Sequence, residues 1–110
     1  MKSNIYIKID EITCGYIQYL NHRVNGYKEV LTEIISNKRF GLNVDKKMFK
    51  MYNDLYIKYY TEFQTTKDVL IEELFPVKNR KTDTRYMYTI DYISNELIVE
   101  EMRDLHEIKK

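Results

Sequence analysis

Ile17, Leu20, Val24, Tyr27, Leu31 and Ile34 follow one another at intervals of three, four, three, four and three residues. An α-helix turns once every 3.6 residues, so this spacing draws a single narrow apolar seam along one helical face. A seam of that kind is stable in water only when another helix covers it, either from the same chain or from a second copy. Asp10, just ahead of the seam, has the side chain of an N-cap. The spacing therefore predicts a first helix over residues 11–36. Gly15 and Gly26 each weaken it by about 1 kcal/mol relative to alanine. Gly15 leaves room for a later helix start, and Gly26, beside Tyr27, for the close approach of another backbone.

A second helix is predicted over residues 45–75, about 45 Å long at 1.5 Å per residue. Asn43 or Asp45 can cap its start. Pro76 ends it, because proline disfavours helical geometry in the residue before it. Two apolar rows run along it: Met48, Tyr52, Leu55, Tyr59, Phe63, Leu70 and Leu74, and a partly overlapping set of Phe49, Tyr56, Tyr60 and Phe63. Together they are wider than one neighbouring helix covers. Between the two helices, Asn37 can close the first in a left-handed conformation and Gly41 permits a reversal. The short link favours two antiparallel neighbours.

Both flanks of the helical region alternate with period two, the pattern of a half-buried strand. Ile5, Ile7 and Ile9 form one such run, with the isoleucines on its buried side. Tyr86, Tyr88, Ile90 and Tyr92 form the stronger one. Ser94-Asn95-Glu96 can turn the chain, and Leu97-Ile98-Val99 can return as a second strand. A rival reading makes the chain helical from Leu97 onward, with Ile98, Met102, Leu105 and Ile108 on one side. The strand reading is favoured to about Glu100, followed by a short tail over 101–110. An isolated hairpin is marginal in water, so the first strand is expected to pair with the hairpin over 86–100. The fold class is α+β, mainly helical: a long antiparallel helical hairpin with a small two- or three-stranded antiparallel sheet, in the order β-α-α-β-β. With 110 residues, the chain reads as a single domain.

Composition narrows the function classes. The net charge of +1 argues against a dedicated nucleic-acid binder, which carries a basic excess. No run approaches the roughly 20 apolar residues of a membrane span. The first residues lack the apolar core of a secretion signal. The lone Cys14 makes neither an internal disulfide nor a cysteine-rich zinc site, and a reducing, cytoplasmic location is expected. His22 and His106 stand in no metal-ligand spacing, the serines in no nucleophile elbow, and the three glycines in no phosphate loop. Neither an enzyme nor a cofactor is expected. Cys14, near a helix start, is expected to be buried and inert, with a slightly lowered pKa.

Eleven tyrosines and four phenylalanines, with no tryptophan, leave an aromatic face on the second helix. A tyrosine joins a large apolar ring to a hydroxyl that seeks a partner, which suits partly wet interfaces. Tyr52, Tyr56, Tyr59, Tyr60 and Phe63 are the protein-interface candidates. The other reading is that they line the intramolecular core. Lys46, Lys47 and Lys50, with Lys38 and Arg39, form one basic cluster at the start of the second helix. Lys78, Arg80 and Lys81, with Arg85, form another beyond its end. These are the candidates for nucleic-acid or anion contact, which a symmetric dimer would unite. Acidic residues gather later, at Glu100, Glu101, Asp104 and Glu107.

Ile17-Gln18-Tyr19-Leu20-Asn21-His22-Arg23, followed by Tyr27 and Leu31, and the closing Tyr88-Thr89-Ile90-Asp91-Tyr92 with Asn95-Glu96-Leu97, give the chain a layout similar to one family. It resembles the small accessory proteins of CXXX-repeat peptide modification systems, which are encoded beside peptide-modifying radical enzymes. The resemblance implies an accessory, non-catalytic protein and assigns no functional residue. The expectation is a self-associating accessory protein, a homodimer or larger homo-oligomer, that binds a partner protein or peptide. The alternatives are a small phage- or plasmid-encoded inhibitor of a host defence system, or a dimeric nucleic-acid-binding protein.

Overall fold

The computed structural model describes residues 4–39 and 45–102. The elements run β1 (Asn4–Lys8), α1 (Glu11–Arg39), α2 (Lys46–Leu74), a single 3-10 turn (Val77–Asn79), β2 (Arg85–Asp91) and β3 (Glu96–Met102). This is the α+β order expected, with a helical hairpin and a three-stranded antiparallel sheet. Chain contacts divide it into two compact units, one of residues 1–15 with 68–110 and the other Tyr16–Lys67.

The helical unit holds most of α1 and α2. Ile17, Leu20, Val24, Leu31 and Ile34 are buried, and Tyr27 is half-buried. The seam thus lies on the covered side of α1. The helix runs to Arg39, three residues beyond the expected end. Asn37 is therefore an interior helical residue, not a left-handed cap, because the helical hydrogen bonding continues past it. Gly41 and Asn43 lie outside the described residues. Asp45 does cap α2: its Oδ1 accepts from the backbone N–H of Lys47 at 2.9 Å and of Met48 at 3.3 Å. Gly15 and Gly26 lie inside α1, and a Cβ on either would meet nothing within 4 Å. Neither delays the helix, and among the described residues no backbone lies close to either.

The sheet unit has the strand order β1-β3-β2. Among the described strands β3 is central, having a neighbour on each side. Ile5 faces Val99 and Ile7 faces Leu97 on one side of it; Tyr88 faces Val99 and Ile90 faces Leu97 on the other. Leu97 and Val99 are fully buried, whereas Ile5 on the edge strand keeps 37% of its surface. The isoleucine face of β1 is thus buried in a gradient that ends at Ile9 rather than uniformly. Ile9, Cys14, Leu70, Ile71 and Phe75 complete the core of this unit. Phe75 meets Tyr86 edge-on with ring centroids 5.2 Å apart, and Tyr88 at 6.4 Å.

Local chemistry sets the boundaries of the unit. Oδ2 of Asp10 accepts from the Thr13 N–H at 3.1 Å, starting α1 where the sequence placed the cap. α2 stops at Leu74, one residue short of the expected end and two before Pro76. Glu96–Met102 is strand throughout, so the helical alternative from Leu97 is excluded over that stretch. Glu101 and Met102, assigned to a tail by sequence, belong to β3; residues 103–110 lie outside the described residues. The turn joining β2 to β3 uses two features. Oδ1 of Asp91 accepts from the N–H groups of Ile93 at 2.9 Å and Ser94 at 3.2 Å. Asn95 takes a left-handed φ of 56°, which asparagine tolerates better than most residues.

Candidate functional site

The apolar rows of α2 form the candidate surface. In the helical unit, Tyr27 of α1 lies against Tyr59 with centroids 5.6 Å apart and against Tyr52 at 6.2 Å. Those two candidates therefore contribute to the packing between the helices. Tyr56 and Tyr60, four residues apart on α2, stack on each other at 5.8 Å, and Tyr60 remains 43% exposed. Phe63 has the Lys67 ammonium 5.8 Å from its ring centroid. Tyr52, Leu55, Tyr56, Tyr59 and Phe63 are each half-buried, and no residue from Lys46 to Lys67 is fully buried. The opposing seam of α1 is sealed; the aromatic face of α2 is not.

A polar aromatic cluster borders this face. Tyr16 and Tyr19 stack at 6.4 Å. The Arg23 Nε–H donates to the Tyr19 hydroxyl at 3.2 Å, and its guanidinium lies 5.3 Å from the same ring. The Tyr16 hydroxyl donates to Oε1 of Glu62. That hydrogen bond to a carboxylate, reinforced by partial burial, raises the Tyr16 pKa. The phenol is therefore a donor at neutral pH. Sequence reasoning missed this cluster as a site, although Tyr16, Tyr19 and Arg23 recur at three and four residues and so share one helical flank.

The basic candidates are placed unequally. Lys46, Lys47 and Lys50 lie exposed in the first turns of α2, with Lys50 Nζ 2.7 Å from Asp54. Lys78 is exposed in the 3-10 turn. Arg80 reaches back to the end of α2, donating from Nε and Nη2 to the Phe75 carbonyl at 3.1 and 3.0 Å. Its Nη2 also lies 2.9 Å from Glu72. Arg80 thus closes a helix end, the usual task of a cation at that position. Lys81 Nζ is 3.0 Å from Glu101.

Cys14 is buried in the sheet unit, and its thiol pKa is raised, first by burial and then by the charge of Asp91. This corrects the expectation of a lowered value: loss of water outweighs the helix start. His22 is exposed on α1, and His106 lies outside the described residues. Among the described residues, no group of three or more His, Cys, Asp or Glu side chains fits a metal ion, and no helix is long and apolar enough to cross a membrane. Comparisons of the chain with protein-family models, with curated proteins and with solved structures found no match.

Proposed function

We propose that this chain is a non-enzymatic accessory protein that self-associates and binds a partner protein or peptide through the aromatic face of α2. The observation that supports this reading is the contrast between the helices. α1 buries Ile17, Leu20, Val24, Leu31 and Ile34, whereas Tyr52, Leu55, Tyr56, Tyr59 and Phe63 on α2 are only half-buried and Tyr60 keeps 43% of its surface. Incompletely buried rings keep some apolar surface, and tyrosine hydroxyls keep hydrogen-bonding capacity toward a partner. Tyrosine is among the residues that dominate binding energy at interfaces.

Phosphate binding is less well supported. Lys50, Arg80 and Lys81 each already face a carboxylate within 3.0 Å. A nucleic-acid complex would have to recruit those charges against these neighbours and would weaken steeply with salt.

The test pairs a solution mass with a binding comparison. Light scattering should give a mass above the 13.5 kDa of one chain. A partner retained by the wild-type chain should be lost by the double variant Tyr56→Glu/Tyr60→Glu, with its helical circular dichroism unchanged. A mass of one subunit, together with identical capture by wild type and variant, removes the reading.

A further inference from the structure

We infer that the second copy joins through the free edge of β2, the two β2 strands pairing antiparallel about a twofold axis to make one continuous six-stranded sheet. This rests on the self-association in the proposed function but uses a different surface from the aromatic face of α2.

β2 is an edge strand of the sheet, seven residues long with neither proline nor glycine in it. Such an edge carries a row of backbone donors and acceptors that template another strand. Among the described residues, no loop or side chain is hydrogen-bonded to the β2 backbone. What selects a second copy as the occupant is the order of residues in the strand, Arg-Tyr-Met-Tyr-Thr-Ile-Asp. Antiparallel pairing centred on Tyr88 sets Arg85 opposite the partner's Asp91 and Asp91 opposite the partner's Arg85. Tyr86 then meets Ile90, Met87 meets Thr89, and Tyr88 meets its own counterpart. Both charges sit on the same sheet face, because positions 85 and 91 have equal parity. Opposite charges directly across a strand pair are favourable, and an aromatic beside a β-branched residue is a favourable neighbour on the other face. A shift by one residue would put every half-buried ring of one strand against the exposed face of the other.

The opposite edge of the sheet lacks this self-complementarity. β1 has five residues, and pairing it with itself about Tyr6 sets Lys8 opposite Asn4, with no charge match. A lysine on an edge, here Lys8, also discourages strand addition.

Three measurements on the full chain test the assignment. Arg85→Glu sets like charges opposite each other at both ends of the pairing. It should raise the dimer dissociation constant about tenfold, the equivalent of about 1.4 kcal/mol. Two separate single variants, Met87→Cys and Thr89→Cys, replace exposed residues. When mixed under oxidising conditions they should form a mixed disulfide, since those positions face each other and paired strands hold Cα atoms within bridging distance. Neither variant alone should cross-link efficiently. A dimer that persists in Arg85→Glu at wild-type affinity, with no mixed disulfide, overturns the β2 assignment and leaves self-association standing. A wild-type chain that is monomeric at every concentration overturns both.

Discussion

At the scale of single residues, Asp91 has the most consequential chemistry. Its carboxylate accepts two backbone N–H bonds, from Ser94 and Ile93, and these hold its pKa below the ordinary aspartate value of 3.8. A depressed folded-state pKa means that the folded protein binds the proton less readily than the unfolded chain. The contribution of Asp91 to stability is therefore complete above the unfolded value and is lost as pH falls through the folded one. A carbon-detected titration should place its midpoint below 3.8. Asp91→Asn, which keeps an acceptor oxygen for the turn, should flatten the acid limb of stability against pH. An unchanged acid limb would show that the turn is held by something else. Asp91 had no assigned role in the sequence reading, because its task depends on a loop conformation. The left-handed Asn95 is of the same kind: asparagine in a polar turn has several allowed uses, and only the backbone picks one.

At the scale of elements, periodicity was the most legible property. Five of the six seam residues of α1 are buried and Tyr27 is half-buried, because a 3.6-residue repeat leaves few ways to hide that many apolar side chains. The hairpin was readable as far as Ile90, since Tyr86, Tyr88 and Ile90 alternate with Arg85, Met87 and Thr89 and the burial follows the alternation, whereas Tyr92, read into the same run, lies in the turn beyond β2. Ends were harder. Polar Asn37, Lys38 and Arg39 look like a link but continue α1, since helix ends depend on capping more than on polarity. Glu101 and Met102 look like a tail but remain in β3, opposite Tyr86 and Arg85. The aromatic row on α2 was legible as a row. Its internal pairings, Tyr27 with Tyr59 and Tyr56 with Tyr60, were not, because ring contacts depend on rotamers. The two glycines of α1 yield a prediction. Gly26 is exposed, with open space where a Cβ would stand. Gly26→Ala should therefore stabilise the protein by about 0.5–1 kcal/mol in urea denaturation, from helix propensity alone. A loss of stability would mean that the backbone there is approached by something, such as a second copy.

At the scale of the whole molecule, the sheet unit is drawn from residues 1–15 and 68–110, with the helical unit Tyr16–Lys67 between them in the chain. Asn4 pairs with Glu100 and Lys8 with Glu96, so the sheet closes a very long loop. Non-local pairing of this kind slows folding more than it limits stability. Val99 is the joint of the arrangement, opposite Ile5 on one side and Tyr88 on the other. Val99→Ala should cost roughly 2 kcal/mol through the cavity it leaves. Native-state hydrogen exchange should then quicken together in β1 and β2, which would behave as one cooperative unit. Faster exchange confined to β3 would show that the edges are held independently.

The central place of β3 also has a consequence for synthesis. Both edge strands leave the ribosome before the strand that joins them, and β1 precedes it by the full length of the helical excursion. Until β3 emerges, the nascent chain carries Ile5, Ile7 and Ile9 with no sheet to receive them. A chaperone that shields short isoleucine-rich segments would thus have its longest task at β1, and its release would coincide with the arrival of Leu97 and Val99.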